Sequence, residues 1–161
     1  MSHSRIFQIA EEPVSVEDYI EEHDFYENWF VGAIADYVSS DCTRDDDLKS
    51  LRFLLERNKA ASFNESNNSF TIIPGGKESY FAQAYDNFAT EREKTLNVGL
   101  TEFASSGDFA ESVRLMGAAF NEEFSYYVVP FEDEIITLDE FIRYAEIGKH
   151  YYIGGTLDYH Y

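Results

Sequence analysis

The sequence predicts an α+β fold, and three observations carry the prediction. Short β-prone segments stand near both chain ends, over 4–10 and 150–161. Amphipathic segments of helical period lie between them. Their order is mixed rather than a strict strand–helix alternation. The expected architecture is a single domain over 1–161. A small mixed or antiparallel sheet holds both terminal strands, and about five helices cover one face of it.

SRIFQIA (4–10) is short, β-prone and bounded by EEP, which predicts the first strand. SVEDYIEE (15–22) opens on Ser15 with Asp18 three residues later, the spacing of a capping box, and predicts a short helix. Over about 24–39, Trp29, Ala33 and Tyr37 share one stripe and Phe30, Ile34 and Val38 lie beside it, so a second helix is expected. In TRDDDLKSLRFLLERN, Leu48, Leu51, Leu54 and Leu55 recur at helical spacing. Thr43 is the expected cap. Asp45, Asp46 and Asp47 fall in the first turn, where each carboxylate is worth about 0.3–1 kcal/mol against the helix dipole.

Residues 59–69 are turn-rich, and SFNESNNSFTIIP reads as a hairpin whose second strand covers 70–73. Helices are expected from Lys77 to Leu96, briefly over 101–105, and from 108 to about 123 with Phe109, Val113, Met116 and Phe120 buried. SYYVVPF (125–131) predicts a strand whose proline marks an edge. Thr137 opens a second capping box, TLDE, for a helix over 138–147 that Gly148 ends. HYYIGGTLDYHY predicts one final strand, or two around Gly154-Gly155.

The 161 residues are 44% hydrophobic and 17% aromatic. A chain of that size buries about two-thirds of its unfolded surface, so it is globular despite its charge. No apolar run approaches the roughly 20 residues of a membrane span, and the first residues lack the apolar region of a secretory leader. A single cysteine, Cys42, forms no internal disulfide. These features together point to the cytoplasm.

Charge is the outlying property, with 31 acids against 12 bases and a net charge of −19. Residues 1–60 hold 14 acids and 6 bases, residues 61–100 hold 5 and 3, and residues 101–161 hold 12 and 3. The folded chain is roughly 40 Å across, a length over which duplex DNA carries roughly 23 phosphate charges. Such a surface repels nucleic acid and anionic membrane, and attracts basic proteins and cations.

Motifs for chemistry are absent. A calcium loop read from Asp41 has Asp46 where glycine is needed and Arg52 where a bidentate glutamate is needed. His3, His23, His150 and His160 form no HExxH or HxH pattern. A turn at Gly154-Gly155 would bring His150 and His160 together; a straight strand would hold them roughly 33 Å apart. The carboxylates around Cys42 oppose a thiolate there, and no GxSxG is present. IIPGGKES lacks the spacing of a phosphate loop. Carboxylate pairs such as Glu11-Glu12, Glu21-Glu22 and Glu122-Glu123 read as solvated faces.

In size, charge and aromatic content the chain resembles small acidic proteins of phages and mobile elements. Those proteins imitate DNA charge and occupy nucleic-acid grooves of restriction or CRISPR enzymes. The resemblance implies an antirestriction-like inhibitor or adaptor. The function expected is therefore an acidic protein-binding module, not an enzyme, that occupies a basic groove of a nucleic-acid-binding partner. It would use no cofactor and no metal, and would bind neither nucleic acid nor membrane directly. The carboxylates expected to carry binding are Glu17, Asp18, Glu21, Glu22, Asp45, Asp46, Asp47, Glu132, Asp133, Glu134, Asp139 and Glu140. Tyrosines among them would act as anchors. Two alternatives stand beside this reading. One is a small metal-assisted hydrolase using carboxylates with His23 or His150. The other is a structural or regulatory protein that self-associates, for instance as a homodimer.

Overall fold

Residues 2–41, 43–120, 125–130 and 134–161 are described by a computed structural model. Cys42, Glu122, Glu123, Glu132 and Asp133 lie outside them. The chain divides into two compact units, one formed by residues 1–79 and 123–161 and the other by residues 80–122.

The first unit is built on a seven-stranded mixed sheet that holds both terminal strands, as the sequence predicts. Its strands are β1 (His3–Ala10), β2 (Tyr37–Ser39), β3 (Ala61–Asn64), β4 (Ser69–Ile72), β5 (Tyr127–Val129), β6 (Ile136–Thr137) and β7 (His150–His160). The order is β3-β4-β7-β1-β5-β6. The central strand β7 pairs antiparallel with β1 from His160↔His3 to Tyr152↔Ala10. Its opposite edge is shared: β4 takes 150–152 and β2 takes 158–160. Only β1 and β5 run parallel among the described pairs.

β7 is continuous through Gly154 and Gly155, so His150 and His160 sit at opposite ends of one strand and cannot share a site. The glycines answer a different need. A Cβ on Gly155 would come within 2.9 Å of the Tyr19 Cβ and 3.0 Å of the Ile20 nitrogen, because residues 19–20 lie directly on the sheet.

The pleat sends alternate residues to opposite faces, and both faces are covered rather than one. On the first, Ile6, Val38, Leu157, Tyr127 and Tyr159 meet Phe25, Phe30, Ala35 and Ile135 in an aromatic core. Phe30 is fully buried and packs edge-to-face with Phe25, Tyr127 and Tyr159 at 4.9–5.8 Å. On the second, α3 (Arg44–Arg57) lies against the sheet through Asp47, and its Leu51 and Leu55 are fully buried.

Tyr159 is buried, and its hydroxyl donates to the Ser125 carbonyl at 2.6 Å. Burial pushes that hydroxyl up to about 12, against about 10 in an unfolded chain. The unfolded state therefore loses this proton first. The resulting stability, about 2–3 kcal/mol, is complete below about pH 10 and is lost as pH rises through about 12. Urea midpoints measured up this alkaline range should fall more steeply in the wild type than in Tyr159→Phe. Parallel curves would refute the assignment.

Two helical expectations are corrected. Only 16–18 form a 3-10 turn where a helix over 15–22 was expected. Ser15 does bond Asp18, side chain to side chain at 2.6 Å. Beyond it, Gln8 pulls the backbone onto the sheet: its amide donates to the Asp18 carbonyl at 2.9 Å, and its oxygen accepts from the Ile20 N–H at 3.3 Å. The helix expected over 24–39 is two short turns, α1 (His23–Tyr26) and α2 (Phe30–Ala33), followed by β2. Gly32 stands at φ +94°, which breaks the helical path. The Asp36 N–H then donates to the His160 carbonyl at 2.8 Å, and the edge of β7 captures residues 37–39 as a strand.

α3 begins after Thr43 as expected, but the Thr43 hydroxyl makes no cap; its carbonyl accepts from Asp46 and Asp47 instead. Thr137 does cap α7 (Leu138–Tyr144), accepting the Glu140 N–H at 3.1 Å. That helix ends three residues earlier than the sequence suggests, and Gly148 turns at φ +84°.

The second unit comprises most of α4 (Gly76–Thr95) with α5 (Leu100–Ser105) and α6 (Asp108–Ala118). Phe88 meets Phe120, and Phe103 stacks on Phe109 at 5.3 Å. In α6, Phe109 and Met116 are half-buried as the stripe requires, whereas Val113, and Phe120 just beyond the helix, are exposed, contrary to expectation. Ser112 is the buried residue of that helix. No described helix is long and apolar enough to cross a membrane.

Candidate functional site

Gln8 sits at an irregularity in the β1–β7 pairing, where the register shifts between Phe7 and Ile9. Its oxygen accepts from the Gly155 N–H at 2.9 Å as well as from Ile20. It thereby fixes residues 18–20 as one wall of a cleft of about 800 Å³ in the first unit. Ile9, Ala10, Val129, Pro130 and Ile135 contribute apolar surface to it. Asp18, Asp24 and Glu27 line it beside Tyr19, with no lysine or arginine among its described lining residues. His23 is the one basic group there. It lies 3.2 Å from Asp24 and 3.3 Å from Glu21, on an exposed turn.

A second cleft of about 450 Å³ shares Ile9, Ala10 and Pro130 with the first. Glu11, Glu134, Glu140 and Glu146 line it with Phe141, Tyr144 and Tyr151. Lys149 bridges Glu11 at 2.6 Å and Glu146 at 3.2 Å, and the Glu11 carboxylate holds its ammonium above the usual lysine range. Tyr144 is 78% exposed on the rim.

Three of the twelve carboxylates singled out in the sequence reach these clefts: Asp18, Glu134 and Glu140. Glu17 and Glu21 are exposed beside the first. Glu22 turns away from it, accepting the Ser40 hydroxyl and N–H at 2.6 Å each, and these bonds lower its pKa. Asp139 is half-buried on α7. Asp45 and Asp46 stand apart on α3, where Lys49 pairs with Asp46 at 3.1 Å and Asp45 shares a small recess with Lys49 and Arg52.

Asp47 is the correction. It is 2% exposed and belongs to the interior, not to the acidic surface. One oxygen accepts from the Arg5 Nε at 2.5 Å and the other from the Thr156 hydroxyl at 2.8 Å. Arg5 also holds Asp158 through Nη1. Next along the same face, His3 Nδ1 lies 2.7 Å from Asp158 Oδ2, and His160 Nε2 lies 3.6 Å from that oxygen. The Tyr37 hydroxyl is 2.7 Å from His160 Nε2. This cluster joins both ends of the chain to α3. Sequence reasoning missed it because it depends on the β1–β7 register. The one available signal was alternation: His3 and Arg5, like Thr156, Asp158 and His160, are spaced by two within β-prone segments.

The fold and these clefts define a mixed α/β protein with an acidic concave surface and a partly buried histidine–carboxylate–guanidinium cluster. Comparison with protein-family models, curated proteins and solved structures finds no match for this chain.

Proposed function

We propose that this protein is an acidic protein-binding module that seats a basic segment of a nucleic-acid-binding partner in the carboxylate-lined clefts beside β1 and β5. The observation that carries this reading is the first cleft: three carboxylates, apolar lining from Ile9, Val129 and Ile135, and no lysine or arginine among the described lining residues. Its size falls within the ordinary range of ligand sites. A lysine or arginine side chain entering it would bury its alkyl stem against Ile9 and Ile135 and place its charge among Asp18, Asp24 and Glu27. As a DNA-mimic-like inhibitor or adaptor, the module would occupy a groove that otherwise takes phosphates.

The test uses an oligoarginine peptide as probe, with binding measured at about 50 mM and about 500 mM salt, between which the screening length falls about threefold. Affinity should drop steeply with salt. The triple variant Asp18→Asn, Asp24→Asn, Glu27→Gln should bind at least tenfold more weakly. Asp45→Asn with Asp46→Asn should bind like the wild type, because those acids already face Lys49 and Arg52. Equal loss in both variants would mean that net charge alone attracts the peptide, and the cleft would play no part. Competition by duplex DNA for a bound basic partner tests the mimic component.

A second reading has a specific observation in its favour. His23 lies among carboxylates in the same cleft, the grouping a small metal-assisted hydrolase would use. Divalent-ion-dependent hydrolysis of a model phosphodiester that disappears in His23→Gln would favour it over the binding reading.

A further inference from the structure

We propose that His3, Asp158 and His160 form a binding site for a transition-metal ion of the zinc class, clipping the start of β1 to the end of β7. Each of the three offers one ligand atom, and these atoms lie within 4.8 Å of one another. The register makes this possible: His3 faces His160 directly across the ladder, and Asp158 sits one pleat along on the same face.

Four further features fit a cation. First, among the described residues, the carboxylates of Asp47 and Asp158 share one guanidinium, that of Arg5. Second, Asp158 is oriented from behind. Its Oδ1 is held by Arg5, which is itself held by Asp47, while Oδ2 faces the two imidazoles. Such outer hydrogen bonds to a ligating carboxylate are characteristic of metal sites. Third, the His160 side chain is 8% exposed, and the nitrogen it turns toward Asp158 Oδ2 is Nε2, at 3.6 Å. Fourth, the Tyr37 hydroxyl lies 2.7 Å from the same Nε2, and its ring stacks on the imidazole with centroids 3.9 Å apart, which fixes the ring's orientation.

The ligand set selects the metal. Two imidazoles and one carboxylate suit zinc and its neighbours, whereas calcium and magnesium take oxygens. Tetrahedral bonds of about 2.0–2.1 Å place ligand atoms about 3.3 Å apart. The Asp158–His160 separation of 3.6 Å is close to that value. The His3–Asp158 hydrogen bond of 2.7 Å would open slightly as its proton is displaced by the ion. His3 is half exposed, which supplies an entry path. Three protein ligands leave a fourth position for water or for the neighbouring phenol of Tyr37.

The experiment titrates the untagged, chelator-treated full chain with Co²⁺, whose visible absorption reports low-coordinate nitrogen and oxygen ligation, and then displaces it with Zn²⁺. The expected result is one Co²⁺ per chain, a visible band abolished by Zn²⁺, and a melting temperature raised by Zn²⁺. His3→Gln and His160→Gln should each weaken binding at least tenfold and remove the thermal shift. His150→Gln should change neither. His160 is buried, so His160→Gln could unfold the protein; His3→Gln, at a half-exposed position, decides the matter in that case. No band in the wild type, or a band retained at unchanged affinity in His3→Gln, overturns the proposal.

Discussion

Replacing Arg5 by leucine is expected to destabilise the protein by about 3–5 kcal/mol, the loss typical when one partner of a buried ion pair is removed. Among the described residues, this guanidinium is the arginine or lysine group that Asp47 and Asp158 share, and their side chains are 3% and 12% exposed. Without it, the two carboxylates at the sheet–helix interface keep, among the described side chains, Thr156 and the histidines as partners. Arg5→Lys should recover part of the loss and no more. A single ammonium cannot reproduce the fork in which Nε meets one carboxylate and Nη1 the other. Replacing Arg5, Asp47 and Asp158 together with apolar residues of similar volume should restore much of the stability, since no charge is then stranded. Urea unfolding followed by circular dichroism measures all three. An Arg5→Leu variant within about 1 kcal/mol of wild type would show that the network contributes little.

Phe30→Ala should be as damaging, at about 3–5 kcal/mol. Phe30 is fully buried where α2 meets the sheet and makes edge-to-face contacts with Phe25, Tyr127 and Tyr159. Contacts of that kind add about 0.5–1.5 kcal/mol each beyond the area buried. Its neighbour Trp29 is 53% exposed, so Trp29→Ala should cost about 1 kcal/mol or less. The contrast separates the observed turn from a continuous helix, in which the Trp29–Ala33–Tyr37 stripe would carry comparable packing. Equal losses at the two positions would contradict the packing described here. Against a total stability of about 5–15 kcal/mol, either effect alone removes a substantial share of it.

What was legible in the sequence was local. Leu48, Leu51, Leu54 and Leu55 predict α3 because helical period shows in any window of that length, and Leu51 and Leu55 are indeed its buried apolar residues. Thr137 predicts a cap because the capping box is completed within four residues. The terminal strands are recognisable because β-prone residues cluster there. The failures share one cause. Residues 15–22 and 24–39 have helical patterns that lose to partners outside the helical window, ten to twelve residues away in the first case and about 120 in the second. Gln8 takes the backbone of residues 18–20, and the free edge of β7 takes residues 37–39. A period of 3.6 cannot register a competing hydrogen bond from a strand that lies outside the window, whether ten residues away or more than a hundred.

The same division runs through the site. Abundant acid was plain from composition, but composition cannot assign each carboxylate a neighbour. Asp45, Asp46 and Asp47 are equivalent as sequence. In the fold, two lie on the outer surface of α3 and the third closes a buried pair with Arg5, because helix rotation turns only one of them toward the sheet. His3 and His160 are unremarkable at opposite ends of the chain and become cross-strand neighbours once β1 pairs with β7. The sequence by itself determined the α+β class, the terminal strands, α3, α7 and the excess of negative charge, all of which follow from residues within a few positions of one another. Tertiary structure alone decided which acids line a cleft, which are neutralised, and which histidines meet, because those properties belong to pairs of residues that only strand register and helix packing bring together.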